Sequence, residues 1–564
     1  MVNLVVKTPL HCFLLSFVLT VVAVLLASKA VDAAYSIGSD AAYADEIRAS
    51  ARTIAYDLMS YYSGNQSGQV PGILPGPPPK GDYYWWEGGA LMGAMIDYWH
   101  LTGDATYNDV VSQGMLHQVG DNRDYQPVNY TASLGNDDQA FWGMSAMLAA
   151  EVNFPNPPPD QPQWLSLAQA VFNTQAAPAR HDKTCGGGMR WQIPIANAGY
   201  NYKNSIANGC FFNMGARLAR YTGNSSYADW AETQWDWLQS VGFIDADYNI
   251  YDGETNCTDI NRALFSYTYG VMVLGAANMY NFTNGSAKWE ARVKGLLTAT
   301  FETFFLDDVI TEVACEPHDS CTTDMLSFKG YVHRWLTTAT TVAPFTRAQV
   351  LPILRKSAEA AVATCTGGKD GRQCGFKWST REFDGKTGAG QQMNVLGAVT
   401  SLLQKASQSA PLTNSTGGTS TGDPDAGTGP QIDVGGRFRA ITDGDRAGAS
   451  FLTIASAILF WVFFFWLLSG MGEEDANPDG AEEVRERRKK AKGVGLLRRL
   501  KGGYRGVYTG DDGGGDVDSK DENEKRGAAR LPLARGRLKR RAGDDRPKVK
   551  VPLLHNFWQP GSKE

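Results

Sequence analysis

Leu101-Thr102-Gly103-Asp104, followed by Tyr107, is the stretch from which the architecture can be read. Apolar residues Ala90, Leu91, Ala94, Met95 and Tyr98 lead into it at the spacing of one helix face. Glycine ends such a helix by taking the left-handed conformation that side chains resist, and the polar residue after it caps the next. The pattern recurs 120 residues on as Tyr221-Thr222-Gly223-Asn224 with Tyr227, and more loosely another 61 residues on as Phe282-Thr283-Asn284-Gly285 with Trp289. The unit is thus a helical hairpin of about 60 residues, and degenerate turns near Asn156 and Thr346 fall at the missing steps.

Helix-like spacing at 41–61, 138–151, 164–175, 205–221, 227–241, 260–280, 287–305, 329–341, 347–363 and 391–406 fits this reading, while strand-like alternation is scarce. Six hairpins fill residues 34–410. Hairpins in series stack into an open solenoid or close into a ring. In this chain the polar and aromatic clusters recur at one end of the hairpins, as one shared pocket requires, so the sequence predicts an all-α fold, an (α/α)6 barrel.

The flanks have a different chemistry. Lys7, an apolar run from Phe13 to Ala27 and small residues at Ala30, Ala33 and Ala34 have the order of a secretory signal, 1–33, with an uncleaved anchor as the alternative. Residues 411–446 are rich in Gly, Ser, Thr, Asp and Pro and read as a stalk. Residues 447–472 carry no charge, which is long enough to cross a bilayer, and the same stretch reads alternatively as a glycolipid (GPI) attachment signal. The tail, 473–564, is basic and reads as disordered: from 471 onward there are 23 Lys and Arg against 17 Asp and Glu. The other 470 residues hold 30 against 42, an acidic body that argues against nucleic acid as a partner.

Seven sequons, at Asn65, Asn129, Asn224, Asn256, Asn281, Asn284 and Asn414, all precede the apolar span and suit glycosylation in the secretory pathway. Once the signal is removed, seven cysteines remain, and the close pairs Cys315/Cys321 and Cys365/Cys374 are disulfide candidates with one thiol left over. No metal-ligand spacing accompanies these cysteines or the histidines, so no metal and no cofactor are expected.

The chemistry-bearing residues cluster in five motifs. Gly135-Asn136-Asp137-Asp138-Gln139 places adjacent carboxylates at a helix start. Ordinary capping explains such a pair on its own. The same pair also suits a retaining glycosidase, which needs two carboxylates about 5–5.5 Å apart. Trp85-Trp86-Glu87 offers rings and an acceptor for a sugar face, and Arg190-Trp191, after a triple glycine, offers a donor and a ring. Lys203-Asn204, Asn208 and Tyr251-Asp252 supply further polar turns.

Together, N-D-D-Q, W-W-E-G-G-A, C-G-G-G-M-R-W-Q, Y-K-N-S-I-A-N and Y-D-G make residues 35–405 resemble glycoside hydrolase family 76, within it the fungal cell-wall branch of the defective-cell-wall and defective-filamentous-growth type. The resemblance implies a mannan endo-1,6-α-mannosidase with an (α/α)6 barrel, Asp137 as nucleophile and Asp138 as general acid/base. It further implies that α-1,6-mannose glycans and the mannose-containing GPI core are donors, wall glucan is an acceptor, and the site lies at the outer face of the plasma membrane or in the wall. Transfer, strict hydrolysis of α-1,6-mannan and non-catalytic glycan binding are the three readings; the intact aspartate pair favours the enzymes.

Overall fold

Each Thr-Gly-polar turn is where an inner helix hands the chain to an outer one. The computed structural model describes residues 35–38, 43–404, 410–429 and 442–470. Gly103 and Gly223, at φ 78° and 75°, cap their helices in the left-handed region and donate their N–H groups to Trp99 O and Ala219 O. The barrel comprises α1 (Tyr43–Met59), α2 (Trp85–Thr102), α3 (Asn108–His117), α4 (Asn136–Glu151), α5 (Trp164–Ala176), α6 (Ser205–Thr222), α7 (Ser225–Ser240), α8 (Ser266–Phe282), α9 (Ala287–Phe304), α10 (Phe328–Val342), α11 (Arg347–Ala363) and α12 (Ala389–Ser401).

The even-numbered helices form the inner ring. Each packs on the next, from α2 to α4, α6, α8, α10 and α12, and α12 returns to α2. Composition sorts the two rings: α2 is buried from Trp85 through Tyr98, whereas α7 keeps its Tyr227, Ala231, Trp235 and Leu238 stripe inward and its charged residues outward. Helix α1 supplies the outer partner of α12, so the sixth hairpin is completed by the two ends of the barrel.

The sequence windows locate these helices except α3, whose ten residues lie between two turns. The window 260–280 begins too early: Ile260–Asn261 is strand β3, paired with β2 (Gly253–Thr255), which pairs with β1 (Tyr202–Asn204). Phe305–Leu306 and Val309–Ile310 form a second small hairpin, β4 and β5. Disulfides Cys315–Cys321 and Cys365–Cys374 are present as spacing suggested, and Cys185–Cys257 is a third. Cys210 is the free buried thiol among the described residues.

The stalk reading of 411–446 does not hold for its first part. Residues 410–429 run along the turn end of the barrel: Leu412 N donates to Glu151 O, Asn414 N to Tyr221 O and Asp423 N to Gln169 Oε1, while Ser420 Oγ receives Leu165 N. Low hydrophobicity misled because this segment is held by hydrogen bonds to helix ends. The signal, 1–33, and the tail, 473–564, lie outside the described residues.

A second unit contains α13 (Asp443–Gly470). Within its segment Asp443–Leu468 an 18-residue window has mean hydropathy 2.4 and is wholly unburied, so the helix is long and apolar enough to cross a membrane. All seven sequon asparagines lie at exposed positions, although the Asn281 side chain bonds both Arg220 and Val342 O.

Candidate active site

Tight turns close one end of the barrel, so the long connections 60–84, 118–135, 177–204, 241–265, 305–327 and 364–388 gather at the other, where every inner helix begins. Six helix N-termini therefore point toward one basin, and their partial positive charge favours carboxylates there. Asp137 and Asp138 occupy the first turn of α4.

A short ladder fixes that turn. Gly135 bridges Gln192, Arg190 bridges Lys203, and β1 continues to β2 and β3. Asn136 N donates to Trp191 O at 2.8 Å and Asn136 Nδ2 to Arg190 O at 2.8 Å. Gln139 is buried and bonds Asp124 O.

Gly135 N donates to Asp138 Oδ2 at 2.8 Å, Asp138 N to Asp137 Oδ1 at 3.0 Å, and Asn204 Nδ2 reaches Asp137 Oδ2 at 3.4 Å. A β-carbon placed on Gly135 would lie 2.3 Å from Asp137 Oδ1 and 3.1 Å from Asp138 Oδ2, so these two oxygens are at most about 5.4 Å apart, the sum of the two distances. Enclosure and the Asp138 charge push Asp137 well above the usual carboxylate range. Enclosure chiefly, and then Asp324, push Asp138 up to about 7 against the donation from Gly135.

Asp252, Asp324 and Glu87 complete the acidic lining. Asp252, raised to about 6 by burial, accepts Tyr202 Oη at 2.5 Å and Asn261 Nδ2 at 3.0 Å. Trp86 Nε1 donates to Asp324 Oδ1 at 2.9 Å, and Glu87 Oε2 caps α2 through Tyr84 N. Tyr267 stacks on Phe328 at 3.7 Å between centroids. Burial first, then the charges of Asp252 and Asp137, drive its hydroxyl upward.

The basin thus brings together Asp137, Asp138, Trp86, Glu87, Asn204 and Asp252 from the residues proposed by sequence. Others hold the frame instead. Lys203 is buried, and its ammonium is filled by Asp182 Oδ1, Thr184 O, Gly187 O and Gly188 O at 2.6–3.0 Å. Three N–H donors facing four acceptors leave nothing for a ligand. Asn208 is saturated by Met189 N, Met189 O, Asn204 O and Gln234. Arg190 pairs with Asp182, and Tyr251 with Asp245. Trp85 bonds Gln118 and stacks on Trp142, and Trp191 packs edge-on to Tyr202.

Asp324 and Tyr267 escaped the sequence reading. The available signal was phase: Tyr267 and Asp324 stand at the start of inner helices, one and two structural repeats respectively beyond the Asn204 turn. Cys185, Cys257 and Glu254 are close enough to suggest metal ligands, but the two sulfurs are bonded to each other, which removes them as thiolates.

Comparison with known proteins places this geometry. The family described as glycosyl hydrolase family 76 matches residues 46–415. The chain is similar to the mannan endo-1,6-alpha-mannosidase DCW1 of Saccharomyces cerevisiae, at 45% identity over 422 residues, covering 74% of this chain and 91% of that protein. It is 40% identical to the DFG5 enzyme of the same yeast over 418 residues, covering 73% and 90%. The crystal structure of Dfg5 from Chaetomium thermophilum in complex with glucosamine is 60% identical, with TM-score 0.67, covering 70% of this chain and 97% of that one. At 15% identity and TM-score 0.51, an inactive variant of the α-1,6-mannanase GH76A of Salegentibacter with α-1,6-mannotriose shares the fold, covering 63% and 99%.

Proposed function

Because the chain belongs to glycosyl hydrolase family 76 and to its endo-1,6-α-mannosidase enzymes, we propose that Asp137 and Asp138 cleave α-1,6-mannosidic bonds with retention of configuration. The carboxylate pair carries this reading. One oxygen of each, Asp137 Oδ1 and Asp138 Oδ2, lies within about 5.4 Å of the other, which suits the carboxyl spacing of about 5–5.5 Å at which one carboxylate attacks directly.

Two neighbouring carboxylates in one enclosure share a proton. The repulsion that raises Asp137 is relieved when Asp138 holds the shared proton, and because Asp137 receives two donors, Asp138 N and Asn204 Nδ2, against one for Asp138, it is the member suited to be ionised. An Asp137 oxygen attacks the anomeric carbon as the C1–O6 bond breaks, and the departing O6 takes the proton of Asp138. The mannosyl ester on Asp137 then yields to water or an acceptor hydroxyl, whose oxygen bonds to C1 while Asp138 takes its proton back.

An acceptor sugar in place of water makes the product a transferred glycan. We assign the GPI-core glycan as donor and wall glucan as acceptor, at the outer face of the plasma membrane or in the wall, with α13 as membrane anchor or GPI signal. The similarity to fungal DCW1 and DFG5 enzymes supports this assignment, as does an acidic lining suited to the amino sugar with which the Chaetomium relative was crystallised.

Mass spectrometry of products from α-1,6-mannooligosaccharides and GPI-core glycans, with and without a β-glucan oligosaccharide, tests it. Adducts of donor and acceptor are expected. Release of free sugar alone contradicts the transfer reading, and no turnover in either case contradicts the enzyme reading for these substrates.

A further inference from the structure

Asp324 opens the 3-10 turn Asp324–Ser327 that leads into α10. Its residue is only 6% exposed. Oδ1 accepts Trp86 Nε1 at 2.9 Å, and the charge of this carboxylate acts on both Asp138 and Glu87. Trp86 in turn packs on Phe141, 4.6 Å between ring centroids, one helical turn after Asp138 on α4. An indole N–H therefore fixes a third carboxylate against the wall from which Asp138 projects.

Glu87 clarifies which member of this wall carries charge. It is completely enclosed, Oε2 accepts Tyr84 N, and Oε1 is buried with no partner among the described residues. An ionised carboxylate with an orphaned oxygen is costly, so the neutral form is favoured. Burial, reinforced by Asp324, pushes Glu87 in that direction. Asp324, with its indole donor, is the better anion.

We propose that Asp324 is a positioning residue for the acid step: fixed by Trp86, its negative charge holds the proton on Asp138 until the leaving oxygen takes it. The inference rests on Asp138 being the general acid. Asp138 has Asp137 beside it on its own helix and feels the charge of Asp324 before α10; Asn204 and Cys210 at α6 and Tyr267 on α8 interact with Asp137, and Glu87 on α2 with Asp324; the nearby cations are engaged elsewhere, Arg180 by Asn136 and Gln126, Lys203 by Asp182. The direction of the titrations agrees. Burial raises Asp324 only to about 6, the indole bond opposing it, while Asp138 reaches about 7.

The test is the pH profile of kcat/KM for the detergent-solubilised full chain on α-1,6-mannotetraose. Asp324→Asn is expected to move the basic limb toward lower pH by about one unit, a tenfold change in the acid's dissociation constant. Asp324→Glu is expected to keep the limb, and Trp86→Phe to move it in the same direction by less. A basic limb that stays in place or moves upward in Asp324→Asn, whatever happens to kcat, overturns the proposal. If Asp324→Asn does not fold, the Trp86→Phe profile decides by the same criterion. Asp138→Asn separates the two roles: a basic limb that survives in this variant refutes Asp138 as acid, whereas its loss together with an unmoved limb in Asp324→Asn refutes the role of Asp324 alone.

Discussion

Replacing Gly135 by alanine sets the stability of the fold against the placement of its reactive groups. Gly135 has φ −91° and ψ 158°, a conformation any residue adopts, so alanine brings no backbone strain. The new β-carbon would lie 2.3 Å from Asp137 Oδ1, 3.1 Å from Asp138 Oδ2 and 3.3 Å from Trp191 O. A carbon does not approach an oxygen closer than about 3.0 Å, so Asp137 Oδ1 must retreat by roughly 0.7 Å. A side-chain oxygen retreats cheaply, and the loss of a preferred N-cap costs only about 1 kcal/mol. Catalysis is far less forgiving: a misplacement of about 1 Å costs on the order of 10²-fold, close to 2.7 kcal/mol of barrier. Kinetics on an α-1,6-mannooligosaccharide, beside thermal melting, should show kcat reduced about 10²-fold, with KM changed less and Tm lowered by a few degrees at most. Activity within about twofold of the parent would refute the claim that this carboxylate pair does the chemistry.

Asp137→Asn should abolish turnover on unactivated glycans, and activity equal to the parent's sinks the nucleophile assignment. Asp138 is raised in the folded state above its unfolded value near 3.8, so its ionisation opposes folding: stability falls as pH rises from about 4 through about 7. Asp138→Asn should therefore raise Tm at pH 8 while leaving it nearly unchanged at pH 4, and the reverse pattern in calorimetry contradicts the assigned shift. Lys203→Ala orphans Thr184, Gly187 and Gly188 carbonyls, each worth about 1–3 kcal/mol when buried, and should expose the 182–190 loop to proteolysis with loss of activity; a protease-resistant, active variant argues against the clamp. On intact cells, phosphatidylinositol-specific phospholipase should leave the protein membrane-bound if α13 persists as a span, and release into the medium shows that a lipid anchor replaced it.

The hairpin repeat was legible because turn chemistry is local: Gly103 and Gly223 need their left-handed φ regardless of what packs nearby. Asp137 and Asp138 were legible for a similar reason, as an adjacent pair in a helix's first turn. Lys203 and Asn208 looked like ligand donors because polarity in a glycine-rich, aromatic neighbourhood has the same appearance whether it faces a sugar or a backbone carbonyl. Only the fold shows that the Gly186–Gly188 loop curls its carbonyls onto the Lys203 ammonium. Asp324 was hidden because its partner, Trp86, is 238 residues away in sequence. The 411–429 segment was misread from composition, since hydrogen bonds to Asn153, Gln169 and Tyr221 require no apolar side chains.

The stereochemistry of the first-formed product tests the central claim most directly. Proton NMR during the opening minutes of α-1,6-mannotetraose cleavage, before mutarotation, resolves the anomeric signals. Double displacement through Asp137 predicts that the new reducing end appears as the α-anomer. An initial β-anomer would mean single displacement by water and would contradict Asp137 as nucleophile and Asp138 as its acid/base partner.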